Sequence, residues 1–258
     1  MTDHRFFVEP EQISDGRVTI RGPQARQICA VLRLQTGDTI SALDGSGCCH
    51  IARIGSLTRD EVIAEIIETS QADTEARVRL TLAQALAKGH KVEMVVQKAT
   101  ELGISGMVVF ASERTIVRPA EDKIRNRLAR WRSIAREAAE QSCRAVLPDV
   151  DGVIGFDDLV QRVSQFDKAF VAWEKEKGLL LREALKDAET GNRILLIVGP
   201  EGGFSEDEVS QAIAAGAVPI SLGARTLRTE TAAIAGCAIV LHSVEQAVSR
   251  NCSGDTKS

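Results

Sequence analysis

The chain has 258 residues, of which 44% are hydrophobic and 26% charged, and its formal net charge is −4. That length admits one large domain or two ordinary ones with real apolar cores. The absence of any run of about 18 apolar residues argues against a membrane span. Residues 1–75 hold seven Arg and no Lys against twelve Asp and Glu, so any surface for an anionic polymer is a local patch rather than a property of the whole. Met1 is not followed by a long apolar segment, and a secretory leader is not expected. Cys29, Cys48, Cys49, Cys143, Cys237 and Cys252 form no Cys-x-x-Cys pair, which points to reduced thiols in a cytoplasm. His4, His50, His90 and His242 are scattered without metal-ligand spacing, so no metal site is expected.

Residues 1–72 read as short strands. Positions 17–20 alternate, 39–43 form a strand that ends at the turn dipeptide Asp44-Gly45, 48–54 return with His50, Ala52 and Ile54 on one face, and 62–67 make another strand. Residues 24–34 predict one short helix with Ile28, Val31 and Leu32 inward. This spacing suggests a small β-barrel, ended by the polar linker at 70–75.

Beyond it the pattern alternates. A strand is expected at 77–83, then a helix at 88–103 with Val92, Val95, Val96, Ala99 and Leu102 on one face and Gly103 as its cap. An apolar strand follows at 104–110 and a polar loop at 112–119. The helix expected from 121 to 144 carries Ile124, Leu128, Trp131, Ala135 and Ala138 along one stripe and a basic excess elsewhere. Strands at 168–172, 193–198 and 218–222 alternate with helices at 179–189, 206–215 and 230–249. Such alternation predicts an α/β domain at 73–250, with a mostly parallel sheet and helices on both faces. Residues 251–258 read as a polar tail.

Three constellations can carry chemistry. Gly199-Pro-Glu-Gly-Gly203 follows an apolar strand and leads into Ser205-Glu-Asp-Glu208, a capping box. Glycines at the carboxyl end of a parallel strand let backbone groups approach a ligand. The Gly-x-Gly-x-x-Gly spacing of a dinucleotide site is missing, and the acidic helix start disfavours a phosphate, which counts against a nicotinamide-dependent oxidoreductase. A second glycine turn, Leu222-Gly223, leads through Arg225, Arg228 and Glu230 into a helix thin enough for close backbone approach, with Ala232, Ala233, Ala235, Gly236 and Ala238. Each arginine can pin Glu201 or Glu230, or hold a phosphate or a base carbonyl. The third is Gln97-Lys-Ala-Thr-Glu-Leu-Gly103 with Ser112-Glu-Arg114; here Lys98 and Glu101 can simply pair along the helix.

Together these residues resemble the bacterial 16S ribosomal RNA (uracil-N3)-methyltransferases of the SPOUT superfamily. The likeness includes Leu222-Gly-x-Arg-x-Leu-Arg-Thr-Glu-Thr-Ala232, Glu140-Gln-Ser142 with Arg144, and, near the N-terminus, Val31-Leu-Arg33, Gly37-Asp38 and Asp44-Gly45. Gln27 departs from the histidine usual in the family. The resemblance implies a trefoil-knotted, mostly parallel sheet, preceded by a PUA-like RNA-binding barrel over 1–72. It implies a homodimer, S-adenosylmethionine as cofactor, and 16S rRNA or the small ribosomal subunit as partner. It assigns donor contacts to Val198, Gly199, Pro200, Glu201, Gly202, Leu222, Gly223, Leu227, Arg228 and Thr231.

Uracil N3–H is a weak acid between two carbonyls, so its proton must leave before N3 can attack. Arg228 suits the resulting imide anion and Glu230 is the available proton acceptor. Arg5, Arg17, Arg21, Arg26, Arg33, Lys98, Arg114 and Arg144 are the residues expected to grip RNA. Transfer to another atom such as a 2′-oxygen, or a non-catalytic RNA-binding homologue, is compatible with the same fold.

Overall fold

The computed structural model describes residues 4–115 and 121–252, and its chain divides into two compact units. The first comprises residues 1–75 with 139–147, the second 76–138 with 148–258. Loop positions 116–120 and the tail residues 253–258 lie outside the described residues.

The first unit holds β1 (Arg5–Phe7), β2 (Ile13–Ser14), β3 (Arg17–Arg21), α1 (Pro23–Arg26), β4 (Thr39–Leu43), β5 (Cys48–Leu57) and β6 (Glu61–Gln71). Its sheet runs β1-β4-β5-β6-β3-β2. Only β1 and β4 pair in parallel. Alternation dictates the burial: Val18, Ile20, Ile40, Ala42, Ala52, Ile54, Val62 and Ala64 share one apolar cluster with Phe6 and Ile28. Each such side chain contributes roughly 1.5–3 kcal/mol by leaving water if it is of Val, Ile or Phe size. The turn at Asp44 is fixed by its carboxylate, which accepts from the Ser46 amide at 2.9 Å and hydroxyl at 2.7 Å.

The helix expected at 24–34 is instead a single α-turn followed by a π-turn at residues 27–31, closed by the Leu32 amide on the Gln27 carbonyl at 2.9 Å. The wider π-turn breaks the 3.6-residue period, so Ile28 stays buried while Val31 is 72% exposed. Residues 5–7, a strand missing from the sequence reading, bury Phe6 and Phe7.

The second unit contains, in order, β7 (Arg79–Ala85), α2 (Lys91–Leu102), β8 (Gly106–Ala111), α3 (Glu121–Gln141), β9 (Asp149–Gly155), α4 (Phe156–Arg162), β10 (Lys168–Ala172), α5 (Leu181–Ala184), β11 (Arg193–Val198), α6 (Glu206–Ala214), β12 (Val218–Ile220) and α7 (Thr229–Cys252). The last residues of α3 group with the first unit. The sheet order is β12-β10-β11-β7-β8-β9 and every pair is parallel. Both faces are covered, as alternate strand residues demand. Leu80, Leu82, Ile194, Leu196 and Val198 pack with α2, α3, α5 and α7. Ala83, Ala85, Leu195 and Ile197 pack with α4 and α6.

α2 buries Val92, Val95, Val96 and Ala99, but Leu102 is 38% exposed. The helix stops at Gly103, whose φ of 106° forms a left-handed cap. The helix expected at 179–189 is regular only over α5. Leu180 stays extended to bridge Ser221, and the residues beyond Ala184 close into three-residue turns, Lys186 N on Glu183 O and Ala188 N on Leu185 O. β9 and α4 fill a stretch that the sequence reading passed over.

The thin helix has a visible reason in this unit. A Cβ on Gly236 would stand 2.7 Å from Cδ2 of Leu196, so the glycine lets α7 lie directly on β11. Among the described residues no helix is long and apolar enough to cross a membrane.

Candidate active site at the carboxyl edge of the parallel sheet

Because β7, β10, β11 and β12 run in parallel, their carboxyl ends lie on one edge of the sheet, where open α/β sheets bind ligands. The loop after β11 is held there by a buried polar chain. Thr229 at the start of α7 donates its hydroxyl to the Gly199 carbonyl at 2.6 Å. That hydroxyl accepts from Gln84 Nε2 at 2.9 Å, and Gln84 also donates to Ala85 O at 2.9 Å. Gln84 is 1% and Thr229 5% exposed, so these bonds act without competition from water. A Cβ on Gly199 would fall 3.0 Å from the Phe204 ring, which stacks on Phe110.

The far side of the same loop is tied to the segment after β8. Arg114 Nη1 donates to Gly202 O at 3.0 Å. Buried Glu208 accepts from Ser112 Oγ at 3.1 Å, the Glu113 amide at 2.9 Å and the Ser205 amide at 3.0 Å. The capping box of α6 thus fixes the Ser-Glu-Arg segment as well as its own helix.

Charge gathers in front of this framework. Glu201 accepts from Lys91 Nζ at 2.9 Å and from the Lys88 amide at 3.2 Å. Burial would raise the Glu201 carboxyl, but the hydrogen bonds from Lys91 and the backbone outweigh it and leave the group below its ordinary value. Lys91 in turn is held above its ordinary value, chiefly by the Glu201 hydrogen bond. Glu230 Oε2 lies 3.6 Å from Lys91 Nζ. It is buried and makes no hydrogen bond. The sequence leaves Arg225 and Arg228 either to pin these carboxylates or to hold a phosphate or a base carbonyl; in the structure it is Lys91 that meets both carboxylates. The only sequence signal was Lys91 opening a helix behind Gly89.

Arg225 and Arg228 are exposed, and among the described residues their side chains form no ion pair or hydrogen bond. Leu222 and Leu227 are half-buried beside them, and Thr231 is exposed. Gly223 has a φ of 117° and open space where a Cβ would project. No group of three or more His, Cys, Asp or Glu that could hold a metal occurs among the described residues.

Residues 74–241 match the RNA methyltransferase domain family. The chain belongs to this family. A relative named ribosomal RNA small subunit methyltransferase E from Bacillus subtilis is 33% identical over 93% of this chain and 97% of its own length. The protein of the same name from Synechocystis is 37% identical, over 89% of this chain and 74% of its own. The crystal structure of the Neisseria gonorrhoeae protein of that name, bound to S-adenosyl methionine, superposes with a TM-score of 0.82 at 32% identity, covering 93% of this chain and 98% of that one.

Of the residues expected to touch a methyl donor, Val198 ends β11 and Gly199, Pro200, Glu201 and Gly202 follow it, Leu222, Gly223, Leu227 and Arg228 lie between β12 and α7, and Thr231 is in the first turn of α7. The expected RNA-gripping residues differ in their partners. Arg17 and Arg33 are exposed and unpaired among the described residues. Arg21 pairs with Glu61, Arg26 with Asp60, and Arg5 donates to Cys143 O. Lys98 binds both oxygens of Glu101 at 2.9 Å, the plain helix pair. Arg144 corrects the expectation: it is 2% exposed and paired with Glu75 inside the first unit, so it closes that core rather than facing a ligand.

Proposed function

We propose that the protein transfers a methyl group from S-adenosylmethionine to N3 of a specific uridine in 16S rRNA of the small ribosomal subunit. The observation that carries this reading is full-length kinship with small-subunit methyltransferases E, joined to two glycine loops at one edge of a parallel sheet. The residues present suit the donor's chemistry. Glu201 and Glu230 supply negative charge for a sulfonium and an ammonium group, Leu222 and Leu227 offer apolar surface for an adenine, and the backbone after Val198 is held in one shape by Thr229 and Arg114. Bound there, S-adenosylmethionine supplies an electrophilic methyl group.

The chain's own residues make N3 reactive. Glu230 takes the N3 proton, directly or through a water molecule. Arg228, paired with no carboxylate among the described residues, stabilises the anionic O2 or O4 of the uracil. The reading extends to the fold and assembly: a trefoil knot threading α7 through the loop after β12, a PUA-like RNA-binding barrel over residues 1–72, the methyltransferase domain over 73–250, a cytoplasmic location and a homodimer. Half-exposed Met94 and Leu102 of α2 leave apolar surface for a second copy. Arg17 and Arg33, unpaired among the described residues, and the basic face of α3 favour a phosphate backbone.

The test is mass mapping of methylated nucleosides in small-subunit rRNA from cells with and without the protein, followed by repair of the missing mark with purified protein and donor. Loss and repair of one 3-methyluridine supports the reading; an unchanged 3-methyluridine complement overturns it.

A further inference from the structure

We infer that Lys91 is a positioning residue of the methyl-transfer site, clamping Glu201 of the donor loop and Glu230 of α7 into one charged assembly. The inference rests on the reading of Glu230 as the proton acceptor and adds how that acceptor is held and tuned. Three elements meet at the ammonium: the first turn of α2 that carries it, the loop after β11 and the first turn of α7. The side chains of Lys91 and Glu201 are each 30% exposed and that of Glu230 14%, so water screens the contacts only in part.

The position is costly for the helix itself. A cation at the first residue of a helix faces the positive end of the backbone dipole. Two carboxylates from elsewhere in the unit offset that cost, which gives Lys91 a role beyond α2. The sharing is also unequal. Lys91 donates to Glu201 at 2.9 Å and stands 3.6 Å from Glu230 Oε2, within ion-pair distance. The ammonium therefore holds Glu201 by a hydrogen bond and Glu230 by charge at a longer distance. Once Glu230 is protonated, Lys91 remains anchored to Glu201 and does not follow.

The other charged groups around Lys91 have other arrangements. His90 lies 3.4 Å from Glu93 on α2 itself, Arg228 is exposed and unpaired among the described residues, and Lys88 contributes its backbone amide to Glu201. Among the described residues Lys91 is thus the cation within ion-pair distance of Glu230.

The experiment uses the full chain with 16S rRNA. Single-turnover methylation at saturating RNA and donor is followed against pH for wild type, K91M, K91R, E201Q and E230Q, with isothermal titration of S-adenosylmethionine to each protein without RNA. K91M is expected to move the acid limb up by about one pH unit and weaken donor binding several-fold, because the opposite charge beside Glu230 and the tether on Glu201 are both gone. K91R is expected to leave the limb in place. E201Q, which releases Lys91 to Glu230 alone, is expected to move it down, and this arm stands even if K91M fails to fold. A limb unmoved by K91M and by E201Q, or moved equally by K91M and K91R, overturns the inference. If E230Q retains the wild-type limb, the proton-acceptor reading itself fails; if E230Q abolishes the limb while K91M and E201Q leave it unmoved, only the role of Lys91 fails.

Discussion

The loops after β11 and β12 leave the same edge of one parallel sheet, and each begins with a glycine turn, yet they are built in opposite ways. The first is tied down from several directions: Thr229 on Gly199, Arg114 on Gly202, Lys88 and Lys91 on Glu201. In the second, Ser221 secures Gly223, and then residues 224–227 make no hydrogen bond among the described residues although they carry Arg225. A site that must hold one ligand in fixed geometry and meet another that arrives as a macromolecule needs both kinds of loop. In the proposed reaction the preorganised bonds would serve the donor, and Arg225 and Arg228, unpaired among the described residues, would meet the acceptor without an internal partner to displace.

The difference is broken most sharply at Arg228. R228A is expected to lower the single-turnover methylation rate by roughly 10²–10³-fold, the scale of losing one transition-state donor. Because among the described residues the side chain makes no hydrogen bond or ion pair, the unfolding free energy in urea should change by no more than about 0.5 kcal/mol. A comparable loss of stability would place Arg228 in the framework instead.

Thr229 stands at the tied end. T229V leaves the Gly199 carbonyl and a buried Gln84 amide hydrogen short of a partner. The expected cost is about 1–3 kcal/mol in urea unfolding, with weaker donor binding by calorimetry, since the loop loses its anchor. Equal stability with unchanged donor affinity would show that the chain from Gln84 to Gly199 does not position the loop.

A smaller effect tests the packing beneath both loops. G236A brings a methyl group to within 2.7 Å of a fully buried Leu196, an overpacking penalty of about 1–3 kcal/mol, and recovers roughly 1 kcal/mol of helix propensity. A net loss near 1 kcal/mol is expected by thermal unfolding. A more stable variant would mean that α7 can rise off β11 at no cost.

How much of this was legible in the sequence follows from the range of the forces involved. Strands β4, β10 and β11 have the bounds that alternation and apolar runs dictate, because their burial is a local pattern. The α5 region misled because Leu180 obeys a bridge to Ser221, far along the chain, before it obeys helical propensity. The π-turn at residues 27–31 misled because a single extra residue in one turn rotates Val31 out without changing composition. The glycine loops were readable since glycine names its own backbone. Lys91, Gln84 and Thr229 were missed as a group: each is an ordinary residue whose meaning comes from partners more than 100 positions away, as in Lys91 with Glu201 and Gln84 with Thr229. Arg144 was misjudged because its partner Glu75, 69 positions away, belongs to a segment read as linker.

The smallest expected effect concerns Glu201 in the tied loop and depends on pH. Its folded carboxyl lies below the ordinary value, with burial opposing and the bonds from Lys91 and the backbone prevailing. A depressed carboxyl stabilises the fold above the unfolded-state value, about 4.3 for a glutamate, and that contribution fades as pH falls through the lower folded value. Wild type should therefore melt above E201Q at pH 7, and the gap should close as the pH is taken from 5 towards 3. The loop after β12 offers the contrast: R225A, removing an exposed cation without a partner among the described residues, should show no such pH-dependent gap. A gap for E201Q that stays constant across the acid range would assign the stabilisation to packing of the side chain rather than to its charge, and the loop after β11 would then be tied by Thr229 and Arg114 without electrostatic help.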